Sequence, residues 1–323
     1  VLNGGKLVNT LLLHLDDALH LQPTFVDAAL SVGAHEFDER RCGSAIRLWS
    51  RRESLDLLKP SIARPAGAPA SPRLCFLGSG DFHHVSAMLI AEAAESFDGP
   101  LTVIHIDNHP DWVNFDNGLH CGSWVNEVAE HPNVQKIITL GVCSDDLQTP
   151  ERKGANLGNL ATGKVELYPY DHLPSRVRRA YRESVSYIQS GGHLIWSTMR
   201  KMGLPAFSEH LLSRIFTSNV YITIDKDCLS LDDAITNWDQ GRLRLSTVLE
   251  LLSDIATRHR IVGADVIGDY STPVYSGTLL TRLLKQGEIL IDQPLRAPDA
   301  VMTRDRNTIT NLALLRSFSD MLS

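Results

Sequence analysis

Asp107, His109 and Asp111 occupy alternate positions in Asp107-Asn-His-Pro-Asp111, directly after the apolar run Val103-Ile-His-Ile106. In an extended segment that spacing turns all three side chains to one side. Pro110 biases His109 toward extended geometry. Two carboxylates and an imidazole converging at a strand end make a site for a divalent metal. A second apolar run, Val220-Tyr-Ile-Thr-Ile224, leads into Asp225-Lys-Asp227, where two more carboxylates share a face and Lys226 points away. Asp232 and Asp233 follow in the next loop. Carboxylates gathered at one sheet end repel one another unless cations neutralise them, which two divalent ions would do. A third segment, Cys75-Phe-Leu-Gly-Ser-Gly-Asp-Phe-His-His84, reads as a strand, a glycine turn and the start of a helix that Asp81 can cap. His83 or His84 would reach over the strand ends to a metal.

Plainer readings stand beside these. The Asp107–Asp111 segment can be a polar turn, and Asp225 with Asp227 an ordinary acidic loop. Either histidine can be a hydrogen-bonded core residue. Buried strand-end carboxylates without partners are costly, which favours the metal reading. Trp112, Trp124 and Trp238 read as packing residues, and Arg51-Arg52 and Arg178-Arg179 as solvated helix charges.

The elements that must position these groups follow a rhythm. Apolar runs of strand length occur at 74–78, 101–106, 136–142, 193–198, 220–224 and 261–267, with helical spacing over 84–97, 122–130, 174–189, 207–217 and 244–258. Near-continuous apolar strands alternating with helices predict a mainly parallel sheet covered on both faces, a three-layer αβα sandwich. Ligands bind such sheets beyond the carboxyl ends of the strands, where the acidic motifs fall. Residues 1–62 read as a helical, mixed N-terminal segment packed on the core, and 74–323 as the catalytic domain. The proline-rich stretch 63–73 between them reads as an exposed connector.

Composition bounds the function. Of 323 residues, 43% are hydrophobic and 21% charged, as expected of a globular chain. The net charge of −7 speaks against nucleic-acid binding and suits a cationic substrate. Five cysteines without a Cys-x-x-Cys pair argue against a disulfide framework and for a reducing, cytoplasmic setting. No apolar run approaches the roughly 20 residues that cross a bilayer, so no membrane partner is expected. Self-association into a homo-oligomer stays open.

In order and strand context, the glycine turn, Asp-Asn-His-Pro-Asp and Asp-Lys-Asp resemble the motifs of the ureohydrolase superfamily: arginases, agmatinases and formiminoglutamases. The resemblance runs over about residues 74–275. It implies a binuclear manganese centre, two ions per chain, and cleavage of a guanidino group to urea and an amine. Asp107 and Asp225 would bridge both ions. Asp111 and the turn histidine would complete one, and His109 and Asp227 the other. His83 keeps the helix phase with Val85 and Ile90, whereas His84 fits the spacing to Asp107 slightly better. Asp227 would also relay a proton to the leaving amine, and His120 would shuttle protons with solvent. The family's guanidinium-binding glutamate falls at Gly268, so Asp269 beside it is the expected substitute, with Asp239 in the Trp238-Asp-Gln loop next. Asp-x-His-Pro-Asp followed by Ser123-Trp124 is most like the peptide arginases. That likeness implies arginine, free or within a peptide, converted to ornithine. Hydrolysis of agmatine or formiminoglutamate, a mononuclear zinc deacetylase of the same fold, and a non-catalytic metal-binding module are the rival readings.

Overall fold

Short aliphatic and β-branched runs become strands buried on both faces. The computed structural model describes residues 9–64, 70–294 and 296–322. Eight strands form its main sheet: β1 (Asn9–His14), β2 (His35–Asp38), β3 (Arg73–Phe76), β4 (Leu101–Ile106), β5 (Val134–Leu140), β6 (Val165–Tyr168), β7 (Asn219–Asp225) and β8 (Arg260–Ile267). Their order is β2-β1-β3-β8-β7-β4-β5-β6, and every pairing is parallel. Parallel pairs need crossovers. The main helices are α1 (Pro23–Ser31), α2 (Ser86–Ser96), α3 (Trp124–Glu130), α4 (Leu204–Arg214), α5 (Leu245–Arg258), α6 (Leu279–Asp292) and α7 (Ala300–Leu322). Alternate strand residues feed opposite cores. Leu11 and Leu13 pack in one core with Ile90 of α2 and Trp124 of α3. Leu12 packs in the other with Phe25 of α1, Phe207 of α4, Leu251 of α5 and Phe318 of α7. The result is the three-layer αβα sandwich that the alternation of runs predicts.

Three local expectations differ from the structure. Residues 9–14 and 35–38 are strands, not helix, and they extend the sheet at one edge. β1 is covered on both faces and reads as a continuous leucine run, which periodicity cannot tell from a buried helix; β2, His35–Asp38, is an exposed edge strand with no apolar run to mark it. The helix expected over 174–189 is absent; Ser175–Arg176, Tyr187–Ser190 and His193–Trp196 form a small antiparallel sheet instead. Gly191-Gly192 turns its hairpin, so the run at 193–198 never joins the main sheet. The strand β6 escapes a reading by apolar runs because Glu166 interrupts its pattern. That carboxylate is buried, and Lys136 Nζ (2.6 Å) and Arg214 Nη2 (2.8 Å) neutralise it there. Of the expected connector, residues 65–69 lie outside the described residues.

The register delivers the acidic motifs to one place. Central strands β4 and β7 are neighbours, with Ile106 level with Ile224. Asp107 and Asp225 therefore leave the sheet side by side. The segment after β1 supports the same end from the flank. The short helix Arg40–Ile46 lies so close to β1's continuation that a Cβ on Gly43 would meet the Leu15 carbonyl oxygen at 1.7 Å. This seat positions Arg47, fully buried, against Asp81 (2.6 Å) and Asp16 (3.2 Å). Backbone on both sides leaves little room to yield. Gly43→Ala is accordingly expected to destabilise the protein by about 3 kcal/mol, the upper end of ordinary overpacking costs. The loss would show as a lower urea midpoint at unchanged slope; an unchanged midpoint would mean that the helix is not seated this closely.

Candidate metal centre

The chain leaves β3, turns through Gly78-Ser-Gly80 and enters the 3-10 turn Gly80–Val85. Ser79, not Asp81, caps this turn, accepting from the Asp81 amide. The Asp81 carboxylate instead accepts from Arg47 Nε (2.6 Å), Trp238 Nε1 (2.9 Å) and Gln293 Nε2 (2.6 Å), which fixes the turn from three sides.

The anchored turn presents His83. Its Nδ1 lies 3.0 Å from both Asp107 Oδ2 and Asp111 Oδ2 and 3.7 Å from Asp225 Oδ2. None of these contacts has hydrogen-bond geometry. On its other side, Nε2 meets Thr223 Oγ1 at 2.9 Å. Thr223 gives its own proton to Asp265 Oδ1 (2.7 Å), so its oxygen accepts from His83 Nε2–H. Burial lowers the pKa of the ring, but Asp107 and Asp111, which Nδ1 faces, outweigh it and hold the ring well above its usual value; with a metal in place of the proton on Nδ1, that nitrogen would have the orientation of a ligating imidazole whose other nitrogen is tied down. His84 is buried but turned elsewhere. Burial, then the nearby His120 and Lys285, hold its pKa well below the usual value.

The segment after β4 is not extended. Asp111 adopts a left-handed φ of 48°, which aspartate tolerates better than most residues. The turn brings its carboxylate back beside that of Asp107, with Trp124 Nε1 donating to Oδ2 at 2.6 Å. His109 goes the other way, its Nδ1 2.9 Å from Asp227 Oδ2 and its Nε2 2.7 Å from Asp239 Oδ1. Two groups able to hold a metal result, His83-His105-Asp107-Asp111 and Asp107-His109-Asp227, and Asp107 belongs to both. Main-chain amides aim the carboxylates: His109 N to Asp107 (2.6 Å), Asn108 N to Asp227 (3.0 Å) and Asp227 N to Asp225 (3.0 Å). His105 escapes a reading of the sequence because it sits inside an apolar run. Its signal is nonetheless present, since it precedes Asp107 by two and shares its face of β4; Nε2 reaches Asp107 Oδ2 at 2.8 Å.

Asp107, Asp111, Asp225 and Asp227 are all buried. Burial and the charge of Asp107 push Asp225 up to about 7. Burial, then Asp225 and Asp107, push Asp227 well above the carboxylate range. Burial acts the same way on Asp107, but hydrogen bonds from His105 and His109, with the imidazole of His83 alongside, outweigh it and hold that carboxyl well below its usual value. Four buried carboxylates packed this closely repel one another unless protons or a metal cation stand among them. Oxygen and imidazole donors of this kind suit manganese and similar divalent ions. The residues present thus fit a metal.

The two groups open into a cavity of about 790 Å³, whose wall includes His120, Trp238, Asp239 and Glu288. His120 Nε2 faces Glu288 Oε1 at 2.5 Å, and its Nδ1 accepts from the Gly122 amide. Asp239 stands half exposed at the rim. Three carboxylates that the sequence places nearby lie elsewhere. Asp232 and Asp233 pair with Arg244 (2.8 and 2.9 Å). Asp269 does not line the cavity; it is buried against Lys226 Nζ and Asn311 Nδ2. At Gly268 the φ is +94° and a Cβ would fall 2.2 Å from Asp225 Oδ1, so no side chain fits there either.

Carboxylates and imidazoles gathered at the strand ends of an all-parallel αβα sandwich define a protein of the ureohydrolase kind. The model of the arginase family matches residues 61–268, and the chain belongs to that family. An uncharacterised protein of Thermotoga maritima is 23% identical over 201 residues, 62% of this chain and 60% of that protein, so the match spans less than two thirds of the relative. Among solved structures, formimidoylglutamase from Bacillus subtilis is similar with a TM-score of 0.61 at 15% identity, over 99% of this chain and 89% of that one. Proclavaminate amidino hydrolase from Streptomyces clavuligerus gives 0.59 at 13%, over 97% and 93%. Arginase from Medicago truncatula gives 0.58 at 15%, over 99% and 88%. These likenesses establish the fold.

The relocation of Asp269 has a measurable consequence. Asp269→Asn removes the charge that compensates fully buried Lys226 and is expected to cost about 3–5 kcal/mol of stability. Metal content of the folded protein should not change. A variant as stable as the wild type but impaired in binding a guanidine would return Asp269 to the site.

Proposed function

We propose that the chain is a binuclear manganese hydrolase that cleaves the guanidinium of arginine held within a peptide, giving ornithine and urea. The observation that carries this reading is the pair of metal-capable groups sharing Asp107 at the floor of one acidic cavity. His83 and Asp111 would hold one ion and His109 and Asp227 the other, with Asp107 and Asp225 common to both. When bound, the ions supply the Lewis acidity that makes water nucleophilic near neutral pH.

The chain's own residues would do the rest. Asp145, Asp146, Asp239 and Asp292 on the wall attract a cation. Asp239 is the carboxylate placed to take a planar guanidinium, a group that favours paired hydrogen bonds. Its Oδ1 and Oδ2 already accept from His109 and Asn108, which fixes its orientation at the rim. Asp227, beside His109, carries the proton of the attacking water to the departing amine nitrogen as the C–N bond breaks. His120 and Glu288 exchange protons with solvent.

The lining also speaks to the substrate's backbone. Lys153 is the only lysine or arginine among the described lining residues, and its Nζ is engaged by Asp146 at 3.1 Å. A free α-carboxylate would find no open cationic partner. This favours peptidyl arginine over free arginine, and weighs more heavily against formiminoglutamate, which carries two carboxylates. Agmatine, with no carboxylate, is the rival the wall does not exclude.

Two experiments test the reading. Manganese-loaded protein should contain two ions per chain by elemental analysis, and Asp107→Ala should lose both; two ions retained in that variant would remove the shared-ligand assignment. In a urea-release assay, arginine-containing peptides should be turned over in preference to free arginine, agmatine and formiminoglutamate. Asp239→Asn should raise KM roughly 10- to 100-fold at unchanged metal content, the size expected for a hydrogen bond to a charged group. Deacetylation of acetyl-lysine peptides without urea from any guanidine would refute the proposed activity.

A further inference from the structure

A second group of metal-ligating side chains lies outside the cavity, at the edge of the sheet. His14 is the last residue of β1 and Glu36 lies in β2. In the parallel register His14 is level with Asp38 and Leu12 with Glu36, so His14 and Glu36 project from the same face. The turn after β1 returns His20 to this spot. The imidazoles of His14 and His20 meet edge-on with centroids 4.1 Å apart. One ligand atom from each of His14, His20 and Glu36 lies within 4.8 Å of the others. None of the three lines the cavity.

His14 shows what the group lacks. Its side chain is 0% exposed, yet neither ring nitrogen makes a hydrogen bond. Nε2 lies 2.7 Å from Glu36 Oε1 without hydrogen-bond geometry, which is how His83 Nδ1 sits between its carboxylates. Burial first, and then His20, lower the pKa of His14 against the opposing pull of Glu36 and Asp38. The ring is therefore neutral at neutral pH, with a lone pair to give. Asp38, the neighbouring carboxylate on this face, is taken by Arg40 through Nε (2.9 Å) and Nη2 (2.6 Å). A buried imidazole with neither nitrogen hydrogen-bonded is destabilising. A cation shared with His20 and Glu36 would supply the missing partner.

We propose that His14, His20 and Glu36 form a second, mononuclear site for a zinc-like divalent ion, clamping edge strand β2 onto β1. Two imidazoles and one carboxylate are a three-ligand zinc set with the fourth position open to solvent. His20 and Glu36 are both exposed, which gives the ion a path in and leaves that position to water.

The test is equilibrium dialysis of the full-length, manganese-loaded chain against zinc, with elemental analysis. It compares the wild type with the double variant His20→Ala/Glu36→Gln. Both substitutions are at exposed positions, so the fold should survive, and circular dichroism would check this. The wild type should hold one zinc per chain more than the variant, or bind that ion at least 10-fold more tightly. Zinc should also raise the wild type's Tm more than the variant's. Equal zinc content, affinity and thermal response in the two proteins would overturn the proposal. Zinc exchange into the main centre alone would produce that equality, because both proteins carry the main centre intact.

Discussion

Four carboxylates crowd the ends of two neighbouring strands, and the surrounding structure is organised around that crowding. The β4–β7 register sets Asp107 beside Asp225, and the turns that follow bring Asp111 and Asp227 to the same place. Buried like charges at this spacing are not tolerated without positive charge or shared protons. Histidine is the side chain the fold brings up against them: His83 from the glycine turn, His105 from within the strand, and His109 from the loop. Behind His83 stands a line of hydroxyls. Asp265 accepts from Thr223, Ser86 and Tyr221 at 2.7 to 2.9 Å. Through Thr223 it influences which nitrogen of His83 holds a proton.

The same demand explains why the flanking segments are tied in so firmly. Arg47 comes from the N-terminal segment and Ser271 from the loop after β8, yet both meet Asp16 and neighbours of the glycine turn in one fully buried network. Strand β1 and the short helix Arg40–Ile46 thus act at a distance: through Arg47 they hold Asp81, Asp81 holds the turn, and the turn holds His83.

Much of this is legible in the sequence, for definite reasons. Asp107, His109, Asp111, Asp225 and Asp227 are readable because carboxylates directly after apolar strands are costly to bury unless a cation joins them. The parallel sheet is readable because its strands are apolar on both faces. Three features are hidden. His105 passes as part of an apolar run although it shares a face with Asp107. The turn with left-handed Asp111 divides the motif, Asp111 joining His83 and His109 joining Asp227 with Asp107 between them, which alternation along an extended chain cannot foresee. Gly268, at φ +94°, redirects the chain so that Asp269 is buried against Lys226 and not in the cavity, although sequence adjacency to the strand end suggests a place in the site. Adjacency in sequence fails where the backbone takes a conformation that only glycine adopts readily.

Lys226 lies between the two aspartates of the second acidic motif, and its ammonium is buried beneath the strand end against Asp269 and Asn311. Those partners are 43 and 85 residues further along the chain. During synthesis the strand that carries Asp225 and Asp227 emerges well before either partner exists. Until the loop after β8 has brought in Asp269, closing the core would strand an ammonium in it with no counter-charge, and until α7 has docked that ammonium would also lack the Asn311 amide oxygen. The end of the sheet that carries the four aspartates can therefore close at low cost only after both distant partners have docked.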